Sequence, residues 1–146
     1  MQTPSPSYGN AHMLVTSHPS VRQVVIGRVL SGFAVLFLLF DSAGKLLQVQ
    51  AVLEATTQLG YPTGVVFWLG VILLGCVITY VIPRTSVLGA LLLTGYLGGA
   101  IATQVRIGSP LATHVLFPVY LAAIIWGGLL LREPALRAFL PIVRKN

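Results

Sequence analysis

Residues 94–126 read TGYLGGAIATQVRIGSPLATHVLFPVYLAAIIW, and this stretch decides the fold. Two apolar runs meet here across a short hinge, Gly108-Ser109-Pro110. The first carries Gly95, Gly98, Gly99, Ala102 and Thr103 and ends in Gln104 and Arg106. The second carries His114 and Pro118. Small residues on a membrane helix let another helix approach closely, and polar ones need partners or water. Gly95-x-x-x-Gly99, widened by Gly98 and Ala102, therefore predicts a helix-packing face. Tyr96 and Thr103 are seven residues apart and share a face, which predicts a hydrogen bond to another helix. The ring of Pro118 clashes with the carbonyl of His114, four residues earlier, and removes a helical hydrogen bond. A kink is expected beside the histidine.

Composition extends this reading to the whole chain. Its 146 residues fit a single domain. Hydrophobic residues make up 55% and charged residues 8%, against roughly 25% charge in a soluble domain, so the expected solvent is a bilayer. The net charge is +6, but the basic residues sit at the ends of apolar runs. They form no stripe and no aromatics are interleaved, which argues against nucleic acid and for lipid head groups. The one cysteine, Cys76, lies in an apolar run. With no C-x-x-C it reads as a small buried apolar residue rather than a redox group.

Residues 1–20 are rich in Pro, Ser, Thr, Gly and Asn and read as a disordered cytoplasmic tail. His12 and His18 in it read as solvated. The first span covers about 24–47. To cross roughly 30 Å of hydrocarbon it must include Arg28 at one end and Asp41 and Lys45 at the other. Asp41 precedes Lys45 by four residues, so both project from one face, which Gly27, Ser31, Ala34 and Leu38 continue. Two readings of the pair stay open: an interfacial salt bridge, or a carboxylate facing a polar cavity between helices. Residues 48–64 predict a short amphipathic helix at the interface, stopped by Gly60. The second span, about 65–83, is uncharged, with Phe67 and Trp68 expected at one interface and Tyr80 at the other. The third is about 86–107 and the fourth about 111–131. The fold class is all-α, a four-helix transmembrane bundle. Its domain spans 21–140, followed by a basic C-terminal tail at 141–146.

Counting Lys and Arg near the span ends gives seven on the side of Arg22, Arg28, Arg84 and the C-terminal tail, against Lys45 and Arg106 on the other. That bias puts both termini in the cytoplasm. Asp41, Lys45, Gln104, Arg106 and His114, from three helices, then lie at similar depth in the outer leaflet. Membrane ionisable groups usually face the bundle interior and pair, so these five are the candidates for lining one polar pocket. Asp41 is expected within ion-pair reach of Arg106, Lys45 or His114.

His114 beside a carboxylate can pass protons, and Arg106 can hold an anionic or carbonyl oxygen. Such a pocket suits a quinone head group and equally a lipid phosphate. One histidine and one aspartate are too few for a metal or a haem pair, and no nucleophile stands beside an obvious base. No catalytic residue is assigned and no self-contained redox centre is visible. Any redox role requires bound quinone or a partner subunit.

With LSGFAVLFLLFDSAGKLL (30–47), LGYP (59–62), IPRTSVLGALLLTGYLGGAIATQVRIGSP (82–110) and HVLFPVYLAAIIWGGLLLR (114–132) in view, the chain resembles the DoxX-like family of small four-helix integral membrane proteins. The resemblance covers about residues 22–140. Related members often read A-T-H at the end of the third span, where this chain has Ala102-Thr103-Gln104. The family takes its name from a subunit associated with a terminal quinol oxidase, and other members are linked to thiosulfate–quinone chemistry. The resemblance implies a bacterial cytoplasmic (inner) membrane location. It also implies an accessory subunit of a membrane oxidoreductase or quinone-linked complex, with oxidoreductase subunits or further copies of itself as partners. The alternative is a small lipid- or solute-binding or transport protein with an outer-leaflet polar pocket. An independent quinone-dependent enzyme ranks below both.

Overall fold

The computed structural model describes residues 20–133 and residue 136. The expected tails at 1–20 and 141–146 therefore lie outside the described residues, apart from Ser20. Ser20 caps the first helix: its side chain accepts from the Gln23 backbone while the Gln23 side chain returns the bond, a reciprocal box that satisfies two orphan donors. Helix α1 runs Val21–Leu46, α2 Gln50–Gln58, α3 Thr63–Val81, α4 Ser86–Arg106 and α5 Leu116–Arg132. A π-helical turn, Leu111–Val115, precedes α5. Proline at 118 leaves the His114 carbonyl without its usual donor, and the expected kink takes the form of this wider turn.

α1, α3, α4 and the continuous stretch Thr113–Arg132, which joins the end of the π turn to α5, are long and apolar enough to cross a membrane, and α2 is the short piece between the first two. Only 22% of the apolar window in α1, and 33% in each of the others, is turned inward. Val29, Phe33, Leu36 and Phe40 of α1 and Leu88, Leu91 and Leu92 of α4 all face outward. A helix apolar on every side needs an apolar solvent, so the outward face is the lipid face. The chain is an all-helical, multi-pass membrane protein.

α1 packs against α3 and α5, and α4 closes the ring against the same two helices. The shared core includes Leu38, Leu73, Leu93, Leu97, Ile125 and Leu129. Glycines set the close approaches, but those of the Gly95-x-x-x-Gly99 face are not among them. A Cβ at Gly27 would stand 2.8 Å from the Gly128 carbonyl oxygen, and one at Gly128 would stand 2.6 Å from Ser31 Oγ, so this pair fixes the α1–α5 crossing. Gly89 lets α4 lie against the α3 backbone, 2.2 Å from Tyr80 N to its virtual Cβ. At Gly95, Gly98 and Gly99 a Cβ would meet nothing within 4 Å, and Ala102 is exposed. The packing face expected on α4 is thus not used inside the chain.

Tyr80, expected at the interface, is fully buried. Its hydroxyl donates to the Ile125 carbonyl (3.0 Å) and accepts from Ser31 Oγ (2.9 Å), joining α1, α3 and α5. The Arg132 guanidinium lies 5.0 Å from its ring centroid. Indoors, a phenol with both bonds made is stable, and here it ties one end of the bundle together.

Candidate functional site: a cavity at the open end of the bundle

At the opposite end the helices part around a cavity of about 560 Å³. Its apolar walls come from α1, α4 and α5, with Phe37, Leu97, Phe117, Pro118 and Leu121 contributing. Phe37 and Phe117 meet edge to face, with centroids 5.3 Å apart, between α1 and α5. The α4 wall is made of Gly95, Gly99, Ala100 and Thr103. Glycines that touch no neighbour leave room, and that is their role here. α2 lies across the site, presenting Ala51, Val52, Ala55 and Leu59. The chain enters and leaves α2 through two left-handed residues, Gln48 (φ 50°) and Gly60 (φ 86°).

Asp41 and Lys45 line the cavity and form an ion pair on successive turns of α1. The pair is thus a salt bridge that lines a cavity whose walls are mostly apolar. The neighbouring packing fixes it. Ser42 donates to the Gly70 carbonyl of α3 (3.0 Å), and a Cβ at Gly70 would sit 2.9 Å from Lys45 Cβ. α3 therefore presses on the lysine stem and steers its ammonium inward. Across the cavity, Thr103 donates to the Gly99 carbonyl (2.9 Å) and accepts from the Tyr61 hydroxyl (2.8 Å). Of the Tyr96–Thr103 face it is thus Thr103 that makes the expected hydrogen bond, and its partner is Tyr61 in the turn before α3. Tyr96 is half-buried and lines the cavity, and its hydroxyl makes no hydrogen bond among the described residues.

The other three polar candidates lie at the same end but outside this cavity. Arg106 is exposed and donates to the Leu59 carbonyl (2.8 Å), closing the last turn of α2. It borders a shallower depression with Gly60, Tyr61, Ala102 and Thr103. Gln104 accepts from the Ser109 hydroxyl (2.6 Å) and stabilises the hinge. His114 is exposed, its Nδ1 bonded to the adjacent Thr113 hydroxyl at 2.7 Å. The five residues thus share one end of the bundle while only Asp41 and Lys45 share the cavity. Tyr61 and Tyr96 were missed as site residues. The signal for Tyr61 was its place just after α2, the helix that lies across the cavity.

Among the described residues no three His, Cys, Asp or Glu side chains cluster as a metal site. What the arrangement offers chemically is a greasy chamber with a small hydrogen-bonding end, the shape complement of an amphiphile.

Residues 29–128 match the sequence model of the DoxX-like family. No curated protein matches the chain, and no solved structure does.

Proposed function

The chain belongs to the DoxX-like family, and from that premise we propose that it holds an amphiphilic molecule between its helices as an accessory subunit of a quinone-linked membrane oxidoreductase complex. One observation carries the binding half of this reading: the cavity of about 560 Å³, apolar along its length and polar at the Asp41–Lys45 end. A quinone has this form, a ring with hydrogen-bonding oxygens on an apolar tail. The chain supplies walls, orientation and hydrogen bonds, and the electron-carrying chemistry belongs to the bound molecule and the partner subunits. We propose a bacterial cytoplasmic membrane from the family likeness, and both termini inside from the Lys and Arg bias.

Arg106 favours a second reading, a lipid- or solute-binding protein. It spends one donor on Leu59 and keeps the rest of its guanidinium exposed near the mouth, where a phosphate can be met.

Filling the α4 wall tests the binding role. In Gly95→Leu/Gly99→Leu both new side chains enter open space, so the fold is expected to survive. Native mass spectrometry from mild detergent should show an amphiphile on the parent protein and little on the variant. Equal retention by both would remove the cavity from the account. Co-purifying oxidoreductase subunits test the accessory role, and a chain that always isolates alone would overturn it.

A further inference from the structure

We infer that the Asp41–Lys45 pair is a charge filter, and that it makes the cavity select an uncharged head group bearing a carbonyl or hydroxyl over an anionic one. This deepens the amphiphile-binding reading and rests on it. Asp41 and Lys45 are the only charged side chains among the described residues that line the cavity. Each neutralises the other, so the polar end has no net charge. In a chamber walled by phenylalanine and leucine, bringing in a further anion without an unpaired cation costs far more than a neutral hydrogen-bonding group.

The hydrogen-bonding capacity that remains is mixed. Lys45 uses one of its three donors on Asp41. The second carboxylate oxygen of Asp41 accepts from no described residue, and the Tyr96 hydroxyl has no partner among them. Tyr61 and Thr103 are already bonded to each other. The free groups thus offer donors and an acceptor side by side, as a ring carbonyl or an alcohol requires. Quinones and diacylglycerols both carry such a head on apolar chains. Arg106, the cation nearest the mouth, lines only the outer depression and adds no charge inside.

The test uses the full-length protein in micelles containing equal amounts of a short-chain ubiquinone, a diacylglycerol and phosphatidylglycerol, read by native mass spectrometry. The parent should retain an uncharged amphiphile over phosphatidylglycerol, and the mass identifies which of the two neutral molecules it prefers. Asp41→Asn leaves Lys45 as an unpaired cation and should raise the phosphatidylglycerol share by about tenfold or more. Lys45→Gln leaves an unpaired anion and should keep that share at or below the parent's. The swap Asp41→Lys/Lys45→Asp restores neutrality and should restore the parent's preference. A pair that merely braced α1 would weaken retention in both single variants alike and leave the ratio unmoved, and that result overturns the filter. Variants that lose all bound molecules while Gly95→Leu/Gly99→Leu keeps them also overturn it. If filling the cavity changes nothing, the binding reading falls first and the filter with it.

Discussion

At the residue scale, the fold is fixed by side chains that are absent as much as by those present. Gly128→Ala would place a methyl 2.6 Å from Ser31 Oγ and 3.0 Å from the Gly27 carbonyl, with a backbone atom unable to yield. The α1–α5 crossing should open at a cost of about 1–3 kcal/mol. Gly98→Ala meets open space and should cost nothing within the chain. Unfolding titrations in mixed micelles would compare the two, and equal effects would refute the assignment of roles. Tyr80→Phe removes the donor to Ile125 and the acceptor for Ser31 in a fully buried position. A loss of about 1–3 kcal/mol is expected, seen in the same titration. None of this could be read from composition. A glycine advertises a missing Cβ, but which neighbour fills the gap depends on helix rotation. The spacing at Gly95 and Gly99 is the conventional packing signal, yet the contact is made by Gly27, on the small-residue face it shares with Ser31 and Ala34, and by Gly128, which has no such spacing. Tyr80 likewise sits near a span end, where a tyrosine in sequence reads as an interfacial anchor.

At the scale of elements, the sequence was far more informative. The four spans and the short α2 follow from hydropathy, Gly60 and the hinge at Gly108-Ser109-Pro110, because in lipid a continuous apolar run has few alternatives to a helix. The periodicity of α1 also placed Asp41 and Lys45 on the face that Gly27, Ser31, Ala34 and Leu38 bury. Their depth along the bundle was legible for the same reason. Whether Gln104, Arg106 and His114 turn to the same centre was not, since Gln104 and His114 find local partners at Ser109 and Thr113, and Arg106 turns to the Leu59 carbonyl at the end of α2. Short-range hydrogen bonds compete well for a polar side chain at a helix end. The π turn at Leu111–Val115 makes its own prediction. Pro118→Ala gives the His114 carbonyl a donor again, so the segment should rewind as α-helix. Hydrogen exchange across residues 113–117 should slow, and unchanged exchange would detach the wide turn from the proline.

For the whole molecule, the proposed orientation rests on the seven-to-two bias of Lys and Arg. In a Cys76→Ser background, cysteines at Gln58 and at Pro83 lie at opposite ends of α3 and are both exposed. Gln58→Cys should react with an impermeant maleimide in intact cells, and Pro83→Cys only after lysis. The reverse pattern would invert the protein in its membrane and move the cavity to the other leaflet.

The knot of Ser31, Tyr80 and Ile125 acts as a fulcrum. From Ser31 to Asp41 is ten residues of helix, about 15 Å of lever arm. A small tilt at the knot is multiplied at the far end of that arm. Splaying the tips would therefore spare the hydrogen bonds at the pivot and fall on the Ser42–Gly70 bond between α1 and α3.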